Sequence, residues 1–223
     1  MRIIAGKYRR RKLLSNPGDT TRPITDRAKE SLFQNIQHLL VDKKVADVFA
    51  GTGSLGLEAL SRGASSAILI EKDASAFDLL KKNVAMLGIE DHALCWRNDV
   101  FRCSFKPVGV PHLTPLDVIF FDPPYKLAKE ISPGRPLYQA LLRLAKPSVS
   151  ADNALLLYRI NEFEEYEFPP CWKWMEEYKI SKMKIIVFEK VATTGLETEV
   201  VDEEIVDAAE TPDNDSSDVA EET

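Results

Sequence analysis

A chain of 223 residues with 44% hydrophobic content is long enough to bury one sizeable core, as a large domain with small appendages. It holds no run of about 18 apolar residues and no apolar stretch behind its basic start, so neither a membrane span nor a secretory signal is expected. The formal net charge is −6, and Cys95, Cys103 and Cys171 form no C-x-x-C pair and no ligand spacing with His38, His92 or His112, so the expectation is a reduced, cytoplasmic protein without a disulfide framework or a zinc site.

The chain opens with six bases and no acid in its first twelve residues. Ile3-Ile4 and Leu13-Leu14 flank a Gly-Lys-Tyr-Arg centre, a pattern that predicts a short hairpin. Lys7, Arg9, Arg10, Arg11 and Lys12 are suited to neutralise phosphates, with Tyr8 available to stack on a base or sugar. Residues 15–23 read as a polar loop with Pro17, Gly18 and Pro23. Arg22 extends the basic cluster there, and the segment 21–25 is placed to cover a cofactor or line a substrate cleft. A helix is predicted over 25–40, capped by Thr25 or Asp26 and striped by Ala28, Leu32, Phe33, Ile36 and Leu40. Arg27 and Lys29 near its start read as solvated charges.

From Val45 strand and helix alternate, the mark of βαβ units around a parallel sheet. Strands are predicted at 45–49, 67–71, 93–96, 116–121 and 154–158. Helices are predicted from Ser54 to Gly63, over 73–87 with Gly88 as the stop, and over 136–145 with Pro136 as the first residue. Two later apolar segments, around 178–180 and 184–189, lack an intervening helix and should pair antiparallel at one edge. Trp172 and Trp174 read as packing residues. Beyond Lys190 the composition changes: residues 197–223 carry twelve Asp and Glu and no Lys or Arg. Such a tail cannot bury enough apolar area to offset its ordering entropy, so disorder is expected. The body is then basic, with 29 Lys and Arg against 23 acids, which suggests a polyanionic partner. The chain divides into a basic arm and loop (1–23), an α/β domain (24–190) and an acidic tail (191–223).

The stretch Val45 to Gly56 joins a buried strand to a helix through a glycine turn. Gly51 and Gly53 let the backbone turn sharply and approach a ligand, and the helix starting near Ser54 aims its free N–H groups at the same spot. Gly51-x-Gly53-x-x-Gly56, with Glu71 at about 20 residues' distance, fits a nicotinamide dinucleotide and S-adenosylmethionine (SAM) equally well. Asp122-Pro123-Pro124-Tyr125, directly after a buried strand, decides between them. An exocyclic base nitrogen is a poor nucleophile, because its lone pair is delocalised into the ring. Acceptors on its N–H hydrogens favour the charge that develops during methyl transfer. Asp122 can accept one such bond and the carbonyl of Pro123 another, while Tyr125 stacks on a base drawn out of its helix. The other strand ends supply the cofactor site. Glu71, with Lys72 beside it, suits the ribose hydroxyls. Asp99, with Asn98 adjacent, suits the adenine amino group. Asp47 and Phe49 flank the glycine turn, where Asp47 is placed to hold the turn or the methionine ammonium.

Taken together, Arg2-Ile3-Ile4-Ala5-Gly6 with Arg11-Lys12-Leu13, Arg22-Pro23-x-Thr25-Asp26-Arg27-x-x-Glu30-x-Leu32-Phe33, Asp47-x-Phe49-Ala50-Gly51-Thr52-Gly53-x-Leu55-Gly56 and Asp122-Pro123-Pro124-Tyr125 resemble the RsmD family, bacterial 16S ribosomal RNA guanine-N2 methyltransferases. The resemblance covers about residues 1–190. It implies a class I SAM-dependent methyltransferase fold: Rossmann-like, with a seven-stranded mostly parallel sheet, an antiparallel C-terminal edge and a small N-terminal hairpin extension. It also implies a guanine of small-subunit rRNA in an assembling particle as substrate and a monomeric enzyme. The acidic tail is no part of the family pattern. Three other readings stay open on the residues alone: an N6-adenine DNA methyltransferase, a non-catalytic RNA-binding assembly factor, and an NAD-dependent reductase.

Overall fold

A computed structural model describes residues 1–15, 25–124, 127, 131–161, 166–180 and 183–191. The loop around Arg22, Tyr125 with its basic neighbours Lys126 and Lys129, and the acidic tail from residue 192 lie outside them.

Seven strands form one sheet in the order β3-β2-β1-β4-β5-β7-β6. β1 (Lys44–Asp47), β2 (Ser66–Glu71), β3 (Ala93–Arg97), β4 (Leu116–Phe121) and β5 (Ser150–Asn161) are mutually parallel. β7 (Met183–Lys190) is antiparallel to both its neighbours, β5 and β6 (Trp172–Ile180). The inner strands are near-continuous apolar runs because both faces are covered. α1 (Asp26–Ile36), α2 (Ser54–Ser61) and α3 (Ala74–Leu87) pack on one face, where Val45, Leu69, Val118 and Phe120 point. α4 (Pro136–Leu144) and the segment through Cys103, Phe105 and Leu113 cover the other, against Ala46, Ile68, Ile119 and Phe121. No helix among the described residues is long and apolar enough to cross a membrane.

The punctuation follows the sequence. Thr25 caps α1 by accepting from the Ala28 amide at 3.2 Å, and Asp73 caps α3 by accepting from Ala76 at 2.8 Å. Gly88 ends α3 in the left-handed conformation. The first helix is shorter than predicted. It ends at Ile36 and tightens into one 3₁₀ turn, Gln37–Leu39, so that Leu40 reaches the core before the chain reverses at Asp42. Trp172 is buried as expected and donates through Nε1 to the Leu141 carbonyl at 2.9 Å. Trp174 is not a packing residue: it is 55% exposed. β6 is an edge strand paired on one side, and its register slips between Trp174 and Glu176.

The basic arm folds back as the predicted hairpin, with one antiparallel bridge between Arg2 and Lys12. It packs onto the domain rather than projecting from it. Ile3 and Leu13 are buried in the same core as α1, α2 and α3. Gly6 lies so close to α2 that a Cβ there would stand 1.7 Å from the Ser61 carbonyl oxygen. Ser61 accepts from the Lys7 amide through its carbonyl (2.7 Å) and from the Tyr8 amide through Oγ (3.0 Å). Glu58, fully buried, takes the amides of Ile4 and Ala5 at 2.8 and 3.1 Å. The same carboxylate pairs with Lys29 Nζ at 3.3 Å and Arg62 Nε at 2.8 Å. Lys29 was read as a solvated charge; it is instead fully buried, because its ammonium closes this network and donates to the Arg2 carbonyl at 2.7 Å. At the far end of the arm, Asn83 of α3 accepts from the Leu14 amide at 2.7 Å and donates to the carbonyls of Leu14 and Thr52.

Candidate active site

Parallel strands bring their carboxyl ends to one edge, and the strand order reverses between β1 and β4, which opens a crevice there. A cavity of about 930 Å³ occupies it. Of the residues proposed for a cofactor, Asp47, Phe49, Gly51, Glu71, Lys72 and Asp99 line this cavity, as do Asp122 and Pro123. Gly53 sits just behind the lining. It caps α2 with φ +92°, and a Cβ there would meet Leu57 and Leu80 at 2.7 Å, so its role is to let the helix start against the core. Asn98 stands next to Asp99, with its amide on the Glu71 carbonyl at 3.3 Å.

Glu71 closes the glycine turn from the neighbouring strand. One carboxylate oxygen accepts from the Gly51 amide at 2.8 Å and the other from the Asp73 amide at 2.7 Å. Each oxygen keeps a second lone pair, the geometry a ribose diol needs. Asp99 accepts from Lys72 Nζ at 2.7 Å and from the Phe101 amide at 3.1 Å. Burial works to raise the Asp99 pKa, but these donors outweigh it and hold the carboxyl below its usual range. Lys72 thus orients Asp99 on the cavity wall. Arg143 of α4 supports that wall from behind by donating to the carbonyls of Val100, Phe101 and Cys103 at 3.0–3.1 Å.

Asp47 is buried at the end of β1. Its Oδ2 accepts from the Gly56 amide at 2.9 Å, which fastens the start of α2, while Oδ1 is buried with no partner among the described residues. Burial pushes its pKa up to about 7, with the nearby carboxylates of Asp122 and Glu71 adding to the rise. A buried, half-satisfied carboxylate beside a cavity calls for a cationic ligand, and an amino-acid ammonium suits it. A carboxyl raised from 3.8 to about 7 by folding contributes stability at low pH that is lost as pH rises through about 7. Thermal melting of the ligand-free chain should therefore show falling stability from pH 5 to 8, and Asp47→Asn should flatten that slope.

Asp122 leaves β4 into the same crevice, and Arg159 on the adjacent strand β5 donates from Nε to its Oδ1 at 2.5 Å. Both side chains are largely buried. Burial raises the Asp122 pKa, and Arg159 works against that rise. Pro123 is buried on the cavity wall, and the Pro124 carbonyl is taken by the Leu127 amide at 2.8 Å. Among the described residues, no backbone amide is bonded to the Pro123 carbonyl. Tyr125 lies outside the described residues. Lys7, Arg9, Arg10, Arg11 and Lys12 are all exposed on the arm, whereas Tyr8 is half-buried against the core, with Lys7 Nζ 5.3 Å from its ring centre. Arg159 was missed by the motif reading. Its signal was a lone cation inside the apolar run Ala154 to Ile160. Glu58 and Lys29 left the same kind of trace, charges on apolar helix faces.

A family model described as Conserved hypothetical protein 95 matches residues 1–189. Ribosomal RNA small subunit methyltransferase D of Haemophilus influenzae is 33% identical over 180 residues, spanning 79% of this chain and 87% of that protein. The chain belongs to the RsmD family. Its Escherichia coli relative of the same name is 40% identical over 126 residues, which cover 56% of this chain and 61% of the relative. The solved structure of yhhF from Escherichia coli superposes with a TM-score of 0.69 at 32% identity, covering 86% of this chain and 99% of that one. The RsmD-family fold is that of class I SAM-dependent methyltransferases, with β7 inserted antiparallel. SAM is its cofactor, and the residues fit it: the carboxylates of Asp47, Glu71 and Asp99 line one cavity at the strand ends.

Proposed function

We propose that this chain methylates the exocyclic N2 of a guanine in 16S rRNA. The observation that carries this reading is the placement of Asp122 and Pro123 on the wall of the cavity whose other residues suit SAM. When bound, SAM supplies a methyl group on a sulfonium, already a strong electrophile. The protein's part is alignment and charge placement. Asp122 and the Pro123 carbonyl accept the two N2–H hydrogens and aim the nitrogen lone pair along the reaction line. With SAM bound, that lone pair would form the new N–C bond, and the electrons of the broken C–S bond would stay on the cofactor's sulfur. The charge developing on nitrogen faces the Asp122 carboxylate, and the surplus proton leaves to that carboxylate or to water. Tyr125, by its place in the motif, stacks on the flipped base.

The arm supports RNA as the partner. Its exposed Lys7, Arg9, Arg10, Arg11 and Lys12 project from a backbone bolted to α2, whose other end faces SAM. In this reading the enzyme works as a cytoplasmic monomer on an assembling small ribosomal subunit, and Arg22 continues the RNA surface. Replacing Arg9, Arg10 and Arg11 by alanine should weaken RNA binding and lower the slope of log affinity against log salt by about 2, at roughly 0.7 per lost phosphate contact. Binding titrations at several salt concentrations check this, and methyl transfer at saturating RNA should survive.

The deciding experiment is methyl incorporation from labelled SAM into small-subunit particles and rRNA from cells lacking the enzyme, followed by nucleoside analysis. N2-methylguanosine in the small-subunit RNA is the expected product. N6-methyladenosine would replace this reading with adenine methylation. SAM binding without incorporation into any RNA would replace it with a non-catalytic role.

A further inference from the structure

Methyl transfer to a guanine nitrogen asks for an ionised acceptor in a place where burial discourages charge. Asp122 is that acceptor, and among the described residues no cation of its own segment pairs with it. The partner comes from the next strand. β4 and β5 are parallel, with Phe121 opposite Tyr158, so Asp122 and Arg159 are the next pair in register. Both line the cavity. The Asp122 and Arg159 side chains are only 15% and 11% exposed, so solvent screens the pair weakly. We propose that Arg159 is a positioning residue for the reaction, holding Asp122 ionised and in a single orientation against the target base. This rests on the methyl-transfer reading above.

Three features carry the assignment beyond a structural ion pair. First, the pair stands at the carboxyl ends of the strands, where the substrate enters, and not in the core below. Second, Arg159 engages Oδ1 of Asp122, which leaves Oδ2 to accept from the base. A carboxylate fixed at one oxygen cannot rotate away from its acceptor geometry. Third, the local charge needs it. Among the described residues, Arg159 on β5 is the charged group that bears on Asp122, and Asp47 on β1, an acid, is coupled to both. Arg159 is the cation that stabilises both Asp47 and Asp122 as anions.

The test compares the full wild-type chain with Arg159→Gln and Arg159→Lys. Single-turnover methyl transfer to small-subunit particles is followed from pH 5 to 9 at saturating SAM, with SAM binding measured at pH 8.5 as the check on folding. Removing an opposite charge from a buried carboxylate should move the acid limb of the Arg159→Gln profile up by about one pH unit or more, with the largest loss of rate at low pH. Arg159→Lys keeps the charge and loses the planar fork, so its limb should stay near wild type while its plateau falls. That variant carries the test if the glutamine protein does not fold. An active wild type with an unmoved limb in Arg159→Gln, or a limb in Arg159→Lys that moves as far, overturns this proposal alone. A wild type that transfers no methyl to guanine overturns the function on which it rests as well.

Discussion

Asp122→Ala is expected to reduce methyl transfer by about 10²–10³-fold, the usual loss when one preorganised group facing developing charge is removed. The variant strips the base nitrogen of its anionic acceptor and leaves Arg159, a cation, facing the charge that forms. SAM affinity should hold or rise slightly. The Asp122 side chain is bonded to Arg159 and not to a proposed cofactor residue among the described residues, and its negative charge is one of the influences that raise the Asp47 pKa. Removing it favours the Asp47 anion that would receive the ammonium. Single-turnover rates set beside calorimetric SAM binding separate the two effects. A variant that loses SAM binding but keeps its turnover with excess SAM would contradict the roles assigned to both aspartates.

Glu58→Gln should cost about 3–5 kcal/mol of folding stability, the range for breaking a buried ion pair by removing one partner. Lys29 is fully buried, and burial already lowers its pKa against the pull of Glu58. With a neutral amide in place of Glu58, its ammonium must either lose its proton or drag water into the core. Arg62 loses its partner as well. The amides of Ile4 and Ala5 keep only the single amide oxygen of glutamine between them. The arm should therefore loosen along with the domain, and RNA affinity should fall although no exposed base has changed. Chemical denaturation gives the stability loss. Protease cleavage between Met1 and Ser15 under native conditions reports the release of the arm.

The sequence made the chemistry legible because short-range rules govern it. The Gly51–Gly53 turn, the Asp73 and Gly88 caps and the apolar runs of β1, β2 and β4 each follow from local backbone and burial preferences. Placing Asp47, Glu71, Asp99 and Asp122 on one edge required only that the strands be parallel. What could not be read were contacts between residues far apart in the chain. Nothing near Glu58 announces that it takes two amides from residues 4 and 5. Nothing near Arg159 announces Asp122, which lies 37 positions away. Lys29 looked solvated because a lysine at a helix start usually is, and tertiary pairing reversed that expectation. Trp174 failed for the opposite reason: its size suggested burial, but an edge strand with a slipped register has too little above it to cover the ring.

The shortness of α2 has a last consequence. Its first residue, Ser54, lines the cavity, and its last, Ser61, clasps the basic arm seven residues later, about 10 Å along the axis at 1.5 Å per residue. Asn83 bridges Leu14 of the arm directly to Thr52 of the glycine turn. In the proposed function, the grip on RNA and the methyl donor are thus the two ends of one ruler. For an RNA docked on the arm, the span from docked phosphates to reacting base is a fixed length. What the protein measures is whether a folded RNA presents a guanine at that distance, a property of shape that a straight strand of the same sequence does not share.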